Sequence, residues 1–599
     1  MRPATSGHVE RLGCQNGALI PVTIPHGILL TKLKIDKFRA IGHAEVDLQE
    51  ATALVGQNGS GKSSVLRALN AFFNFEDEQA DFEAGRHAYQ KNTGSTIEVL
   101  IDGISPDADL PFVQAGTSVL RAQFKFTRQK PSWNVHVAGR WQKAPDDFRM
   151  ALRKQISFAM VPTRRDHEVA HGAEHGLLGR AAGEWIAANR QRDRVSPRLA
   201  EIAASFKKNA LTGFEKQLRK VAPLDGPFSF ELGFATDPDF RLLLPNLAIT
   251  VKEGGQSIRL EDSGSGTQSM AIFALYAYLA EIEGKVFILG MEEPEQNLHP
   301  QAQRQLMKNL LGTGLQVVFT THSPTIVDTL EHEQVVLCRR AEGKTRGLES
   351  RLTQVRVDFF TRHGIDRDSY YRFHRRQNSE FLFADFVVVV EGQADAAVVA
   401  TLLEDAGVDS AALGINVVTL DGVTSIGHMY YLMKELGVAS AYIVDKDYFL
   451  PYSKNKRDLS LDTSGYPQYQ SIVKSGTLLP ILFPKTADQV KVVNHLHGNH
   501  SEAMKMLRAV GVFCFRYALE VDLVAAKTPR GRLYTHLHVA SHEQTESHLL
   551  TKRYSSTGIK GIEAIVQAVS GLPPTALPNS YKAIRREIPI MALAARKHP

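Results

Sequence analysis

The sequence predicts an α/β protein with two successive sheet-bearing domains. Apolar strand-like runs alternate with helix-patterned segments, the rhythm of buried parallel strands. That rhythm begins twice, once near residue 28 and again after a charged, aromatic stretch at residues 359–376. In the first of the two, a glycine-rich loop stands between an apolar strand and an amphipathic helix. The 599 residues allow two to four domains, each able to bury a core. With 43% hydrophobic and 22% charged residues, composition excludes disorder, collagen and coiled-coil rods.

Residues 1–27 read as a ragged N-terminal extension without periodicity. Residues 30–36 and 44–48 alternate like strands, and residues 51–55 are continuously apolar. From Lys62 to Phe73 the spacing sets Val65, Leu66, Leu69 and Phe72 on one helix face. Residues 95–160 show strand patterns with turn signals at Ser105-Pro106-Asp107 and Ala144-Pro145-Asp146. A helical insertion, about residues 165–222, reads as amphipathic helices broken near Ser196-Pro197. Strands return at residues 285–289 and 316–320. The second rhythm has strands at 386–390, 415–420, 441–444 and 512–515. A boundary near residues 378–383 then gives a first domain at 28–377 and a second at 378–599, the latter ending in a C-terminal helical part.

Seventy Lys and Arg against 64 Asp and Glu leave a formal charge of +6, compatible with a nucleic-acid partner and no proof of one. Cys14, Cys338 and Cys514 are far apart, so neither a zinc site nor a disulfide framework is expected, and a reducing cytoplasm is the default. No apolar run reaches the ~20 residues that cross a bilayer, and residues 1–25 lack a signal-peptide core, so no membrane association is expected.

Gly56-Gln57-Asn58-Gly59-Ser60-Gly61-Lys62-Ser63 fits the phosphate-loop pattern GxxxxGKS/T in the required strand–loop–helix context. Backbone amides from Gly56, Asn58, Gly59 and Gly61 through Ser64 are expected to wrap nucleotide phosphates. Lys62 would reach the β- and γ-phosphates of ATP, and Ser63 would ligate Mg²⁺. An apolar strand ends at Met291-Glu292-Glu293-Pro294-Glu295, where Glu292 would hold Mg²⁺ through water and Glu293 would polarise the attacking water. Another ends at Thr320-Thr321-His322-Ser323-Pro324. There His322 is either a structural residue at a strand end or a donor to the γ-phosphate. Ser263-Gly264-Ser265-Gly266-Thr267-Gln268-Ser269 precedes a helix expected from about Met270, and on its own reads as a flexible turn with an N-cap.

Taken in order, these motifs resemble the ATP-binding-cassette superfamily, with Ser265, Gly266 and Gln268 in the place of its signature loop. That resemblance implies a homodimer or higher homo-oligomer formed head to tail through the ATPase domain, each loop closing over ATP held by the other subunit. The chain departs from the superfamily where Glu292 replaces the usual Asp, and where no Q-loop glutamine can be picked.

The second rhythm carries acids at its strand ends. Glu391-Gly392 follows four valines, and Asp445-Lys446-Asp447 follows Ala441-Tyr442-Ile443-Val444. Carboxylates at the C-terminal ends of neighbouring parallel strands converge on one crevice, and hard divalent cations relieve their repulsion. With the Gly-bearing strand end Asp421-Gly422, the pattern resembles the toprim fold of topoisomerases, primases and some nucleases. An ATP-binding-cassette ATPase followed by toprim is similar to the OLD (overcoming lysogenization defect) family of nucleases, related to Gabija, retron-associated and ATPase–toprim antiphage effectors. Residues 380–386, leading into Val390-Glu391-Gly392, also resemble that family's junction.

The resemblance implies that Glu391, Asp445 and Asp447 bind catalytic metals (Mg²⁺, with Mn²⁺ or Ca²⁺ as alternatives), with Asp395 contributing. It implies a late acidic motif at Glu520 and Asp522 for a second metal, where the alternative is an acidic pair at a helix N-terminus. It implies a late lysine, assigned to Lys560 with Lys527 and Lys552 as rivals. Arg372, Arg375 and Arg376 would either grip a nucleic-acid backbone or form a solvated face. The implied function is an ATP-regulated, metal-dependent DNA endonuclease of antiphage defence, its partners DNA, a phage trigger or a co-encoded defence protein. Two alternatives stay open: an ATPase sensor controlling a toprim RNase that cuts tRNA, and a repair ATPase with a non-catalytic toprim domain.

Overall fold

The computed structural model describes residues 27–91, 93–104, 118–161, 176–188, 192–221, 232, 240–253, 256–296, 298–343, 347–374, 379–420, 426–551 and 558–597. The N-terminal extension to residue 26, Cys14, the Ser105 turn, the start of the helical insertion, Arg375, Arg376, Asp421-Gly422 and Lys552 lie outside the described residues. The chain divides into two compact units: Met1–Phe38, Asp47–Thr52 and Val65–Thr321 form the first, and Arg39–Val46, Ala53–Ser64 and His322–Pro599 the second.

In the first unit, Leu29–Phe38 pairs antiparallel with Ser95–Asp102, followed in antiparallel order by Leu120–Thr127, Lys130–Val137 and Arg140–Lys143. The helix Lys62–Phe73 has the expected bounds, and Val65, Leu66, Leu69 and Phe72 are all buried. Beneath it Phe75, Phe82, Phe124 and Trp133 pack ring against ring. A parallel trio sets Val286–Glu292 between Ile156–Val161 and Gln316–Thr321. Val286–Glu292 and Gln316–Thr321 are buried on both faces, whereas Ile156–Val161, at the sheet edge, mixes buried and half-buried residues.

The insertion contains helices at Leu177–Ala188, Arg192–Phe206 and Thr212–Val221, the last two joined by a π-turn at Lys207–Leu211. The break expected at Ser196-Pro197 does not occur: Pro197 lies inside Arg192–Phe206. Placed in the second turn, it forfeits one backbone bond, to the Asp193 carbonyl, without ending the helix.

In the second unit, the end of the strand Ala51–Val55 pairs parallel with Val335–Glu342, which pairs antiparallel with Leu348–Gln354. The aromatic stretch at 359–374 folds into helices Phe359–His363 and Arg367–His374, burying Phe359 and Tyr370 completely. Then comes a four-stranded parallel sheet in the spatial order Ile415–Thr419, Phe386–Val390, Ala439–Val444, Val512–Cys514. Parallel strands need crossovers, and helices Gln393–Asp405 and Ile426–Leu436 supply the first two. The C-terminal helical part ends in Asn579–Lys597, a 19-residue helix that contains Pro589.

Candidate functional site

The phosphate loop lies in the second unit. Gly56, Gly59 and Gly61 have φ of 146°, 74° and 103°, a region that side-chain-bearing residues enter at a cost. Two of these glycines are also demanded by space: a Cβ on Gly56 would stand 2.1 Å from the Cys338 carbonyl oxygen, and one on Gly61 2.2 Å from Ser350 Oγ. Lys62 Nζ donates to the carbonyls of Gly56 (2.9 Å) and Gln57 (3.0 Å), which aims the ammonium across the loop. Asn58 is exposed, Ser63 half-buried and Ser64 buried at the start of the helix. Gln57 reaches further than its motif suggests, its Nε2 donating to Asp385 Oδ1 at 2.7 Å.

The other ATPase motifs belong to the first unit, save His322, which opens the second. Glu292 ends its strand, and Glu293 follows with φ 43°, a left-handed conformation uncommon for a residue with a side chain. The Glu293 N–H is held by Thr320 O (3.1 Å) and Thr320 Oγ1 (3.2 Å), so the neighbouring strand fixes the strained turn. His322 lies between the strand Gln316–Thr321 and a short helix whose N-cap, Ser323, accepts from the Ile326 N–H. The signature-like segment enters its helix earlier than expected. The helix is Ser265–Glu283 with Gly264 as N-cap, so Ser265, Gly266 and Gln268 form its first turn. Gln268 Nε2 donates back to Ser263 O at 3.1 Å.

At the C-terminal edge of the parallel sheet, Glu391 and Asp445 each follow the last residue of adjacent strands, Val390 and Val444. The Asp445 N–H donates to Glu391 Oε1 at 3.3 Å. Asp445 Oδ1 accepts from the Leu519 N–H (3.0 Å), tying it to the helix Leu519–Ala525 that bears Glu520. Asp395, in the first turn of the next helix, accepts from the Gly392 N–H at 3.1 Å. Tyr452 donates its hydroxyl to Asp447 Oδ2 at 2.9 Å, and Arg457 donates to Glu520 Oε1 at 2.9 Å.

Electrostatics ties these acids into one group. Withdrawal from water, then the charges of Asp447 and Asp395, push Glu391 up to about 7. Burial, then Glu520, raises Asp395 to about 7. Asp445 lies well above the usual carboxylate range through burial first and then Glu391, Glu520, Asp395 and Asp447. Carboxylates from three separate stretches thus repel one another across a shared space. Their hard oxygen donors suit a divalent cation of the Mg²⁺ class. Among the described residues, the trio whose donor atoms all lie within 4.8 Å of one another is a different one, Glu78, Asp81 and His87. That trio is already satisfied: Glu78 accepts from Arg67, Asn70 and His87 at 2.7–2.9 Å.

Asp522, although beside the cluster in sequence, is spent on structure. Its Oδ1 accepts from the Tyr517 N–H (3.0 Å), and its Oδ2 from the Arg516 N–H and Ser580 Oγ (both 2.9 Å). Lys560 is exposed in the turn before the helix Ile562–Val569, Lys527 is exposed at the start of Lys527–His536, and Arg372 is exposed on Arg367–His374. Sequence reasoning missed Tyr452, Arg457 and Lys474, whose Nζ donates to Asp447 O at 2.9 Å and whose charge favours ionised Glu391. They sit in an irregular segment after the strand Ala439–Val444, where no periodicity points to a site.

These two constellations define an ATPase joined to a metal-dependent toprim nuclease, an enzyme that uses a nucleotide, a divalent ion and a nucleic-acid substrate. Comparison with known families gives the particulars. Residues 29–135 and 184–327 match the AAA ATPase domain, and residues 382–447 match the "Overcoming lysogenization defect protein-like, TOPRIM domain". The OLD nuclease of Thermus scotoductus is 23% identical over 448 residues, 70% of this chain and 82% of that protein. The Old nuclease of Escherichia phage P2 is 21% identical over 545 residues, 79% and 90% of the two chains. Among solved structures, the SMC head bound to the C-winged helix domain of ScpA matches 56% of this chain at 14% identity and a TM-score of 0.35. The SMC head domain from Thermotoga maritima matches 55% at 15% identity and a TM-score of 0.29. No helix among the described residues is long and apolar enough to cross a membrane.

Proposed function

We propose that this protein is an ATP-regulated, Mg²⁺-dependent DNA endonuclease of antiphage defence, working in the cytoplasm as a homodimer or higher homo-oligomer. The observation that carries the reading is the meeting of Glu391, Asp395, Asp445, Asp447 and Glu520 at one edge of a parallel sheet. When bound there, a divalent ion supplies Lewis acidity and an activated water at neutral pH. Glu391 and Asp445 fix the binding position, because each is anchored by a backbone N–H. Asp447, steadied by Tyr452, completes the donor set. Lys474, its Nζ bonded to the Asp447 carbonyl, would supply a positive charge to counter the anion that builds up on phosphate during hydrolysis. We assign the late-lysine role to Lys474 or Lys560.

Regulation by ATP is supported by the Gln57–Asp385 hydrogen bond. It links the phosphate loop to the residue just before the strand Phe386–Val390, whose far end carries Glu391. The family resemblance supports the defence role, DNA as substrate, and oligomerisation through Ser265, Gly266 and Gln268. Isolated cysteines fit a reducing cytoplasm.

Purified protein is incubated with plasmid, linear DNA and tRNA, with and without ATP, in Mg²⁺, Mn²⁺ or Ca²⁺. DNA cleavage that Asp445→Ala abolishes is expected, and undiminished cleavage by that variant refutes the assignment. Cleavage of tRNA alone would instead favour the RNase effector. ATP hydrolysis without cleavage in either Mg²⁺ or Mn²⁺ would favour the repair ATPase.

A further inference from the structure

Of the five carboxylates that share the toprim crevice, Glu520 alone is bonded by a basic side chain among the described residues. The partner is Arg457, and the pair is secluded, with side-chain exposures of 18% and 9%. Arg457 also feels the charge of Asp445, so its cation serves the cluster and not Glu520 alone. Guanidinium stays charged at every accessible pH and bonds carboxylate in a fixed planar geometry. Breaking a secluded pair of this kind is strongly unfavourable, because it strands one charge without its partner.

A divalent ion on Glu520 would have to displace that guanidinium or stand beside it against like-charge repulsion. The second acid of the late motif is equally committed, since Asp522 accepts from two backbone N–H groups and Ser580. Both acids at which a second ion would be held are therefore engaged by the protein itself, each for a different reason. Among the described residues, the carboxylates of Glu391, Asp395, Asp445 and Asp447 accept hydrogen bonds from neutral donors alone, which leaves them open to a cation.

We propose that Arg457 is the resident cation of the second position, so that this toprim site takes one divalent ion, on the Glu391–Asp445–Asp447 side, and not two. This rests on the nuclease reading above and specifies how its site is charged. Arg457 is a positioning residue: it holds Glu520 and sets the metal count without touching the reacting atoms.

The test is Mn²⁺ titration of the full chain without nucleotide, read by electron paramagnetic resonance, counting the ions that Asp445→Asn removes. Wild type is expected to lose one ion, with the spectrum of an isolated centre. Glu520→Gln should leave that count at one, and Arg457→Gln should raise it to two with dipolar coupling between the ions. Two coupled ions in wild type, a lost ion in Glu520→Gln, or an unchanged count in folded Arg457→Gln would each overturn the proposal. Should Arg457→Gln fail to fold, the wild-type spectrum and Glu520→Gln decide the matter. Failure of the nuclease reading looks different: no Mn²⁺ would then depend on Asp445.

Discussion

Replacing Glu391 with Gln is expected to abolish cleavage and yet stabilise the metal-free protein. Burial and neighbouring carboxylates raise the Glu391 pKa from 4.5 to about 7. A displacement of that size is worth about 3 kcal/mol, an upper bound because Asp395 is raised as well. The sign comes from proton counting. Below about pH 4.5 the carboxyl is protonated in folded and unfolded chains alike, so nothing is lost. Between that pH and 7 the folded chain binds more protons, and stability falls as pH rises until Glu391 is ionised in both states. Gln keeps an oxygen to accept the Asp445 N–H but cannot ionise. Thermal unfolding in EDTA at pH 8 should therefore place the Glu391→Gln transition above wild type by on the order of 5 °C. The gap should close near pH 4.5, and saturating Mg²⁺ at pH 8 should reverse the ranking. Equal stabilities at pH 8 in EDTA, or wild-type stability that rises with pH across this window, would refute the reasoning.

Gly56→Ala should destroy nucleotide binding and destabilise the chain, since its Cβ would meet a backbone carbonyl at 2.1 Å. Gly59→Ala, with open space at φ 74°, should cost only about 1–2 kcal/mol. Denaturant melts and nucleotide-binding titrations of the two variants separate these outcomes. Asp522→Ala should destabilise by about 3 kcal/mol or more, because two N–H groups and a hydroxyl lose a buried acceptor. Its Mn²⁺ count should stay at the wild-type value. Gln57→Ala or Asp385→Ala should leave ATP hydrolysis within a few-fold of wild type while removing any effect of ATP on cleavage, measured on the same plasmid substrate.

Elements with period or composition of their own were legible in the sequence. The helix Lys62–Phe73 and the strand Phe386–Val390 have the bounds that their spacing predicts, because one face or both faces of each are fully buried. Pro197 misled because a proline inside a helix removes one backbone bond without always ending it, which the local sequence does not reveal. The signature-like helix began early because Gly264 can cap it through backbone alone, leaving no side-chain signal. At the acidic site, strand-end carboxylates announced themselves by their position after apolar runs. Their supporting residues did not: Tyr452, Arg457 and Lys474 lie 5 to 27 residues beyond Asp447, in chain with no repeating pattern. The difference between Glu520 and Asp522, two residues apart on one helix, depends on what faces each of them across the fold.

The Gln57–Asp385 bond gains its meaning from the rigidity of the strand that Asp385 leads into. All five residues of that strand are buried, and it is paired on one side with Ile415–Thr419 and on the other with Ala439–Val444. Sliding this strand would break the backbone ladders on both of its sides, so it moves as a body with its neighbours. Asp385 and Phe386 are also pinned by their N–H groups to the Gly414 carbonyl, at 2.9 and 3.1 Å. Asp385 is thus fixed by its backbone to a sheet whose central strand leads directly to Glu391. Gln57 sits in the loop that must wrap phosphate, beside the carbonyls that Lys62 holds. Under the proposed regulation, nucleotide binding, which draws on the same lysine and the same backbone, would act through Asp385 on the strand that leads to Glu391.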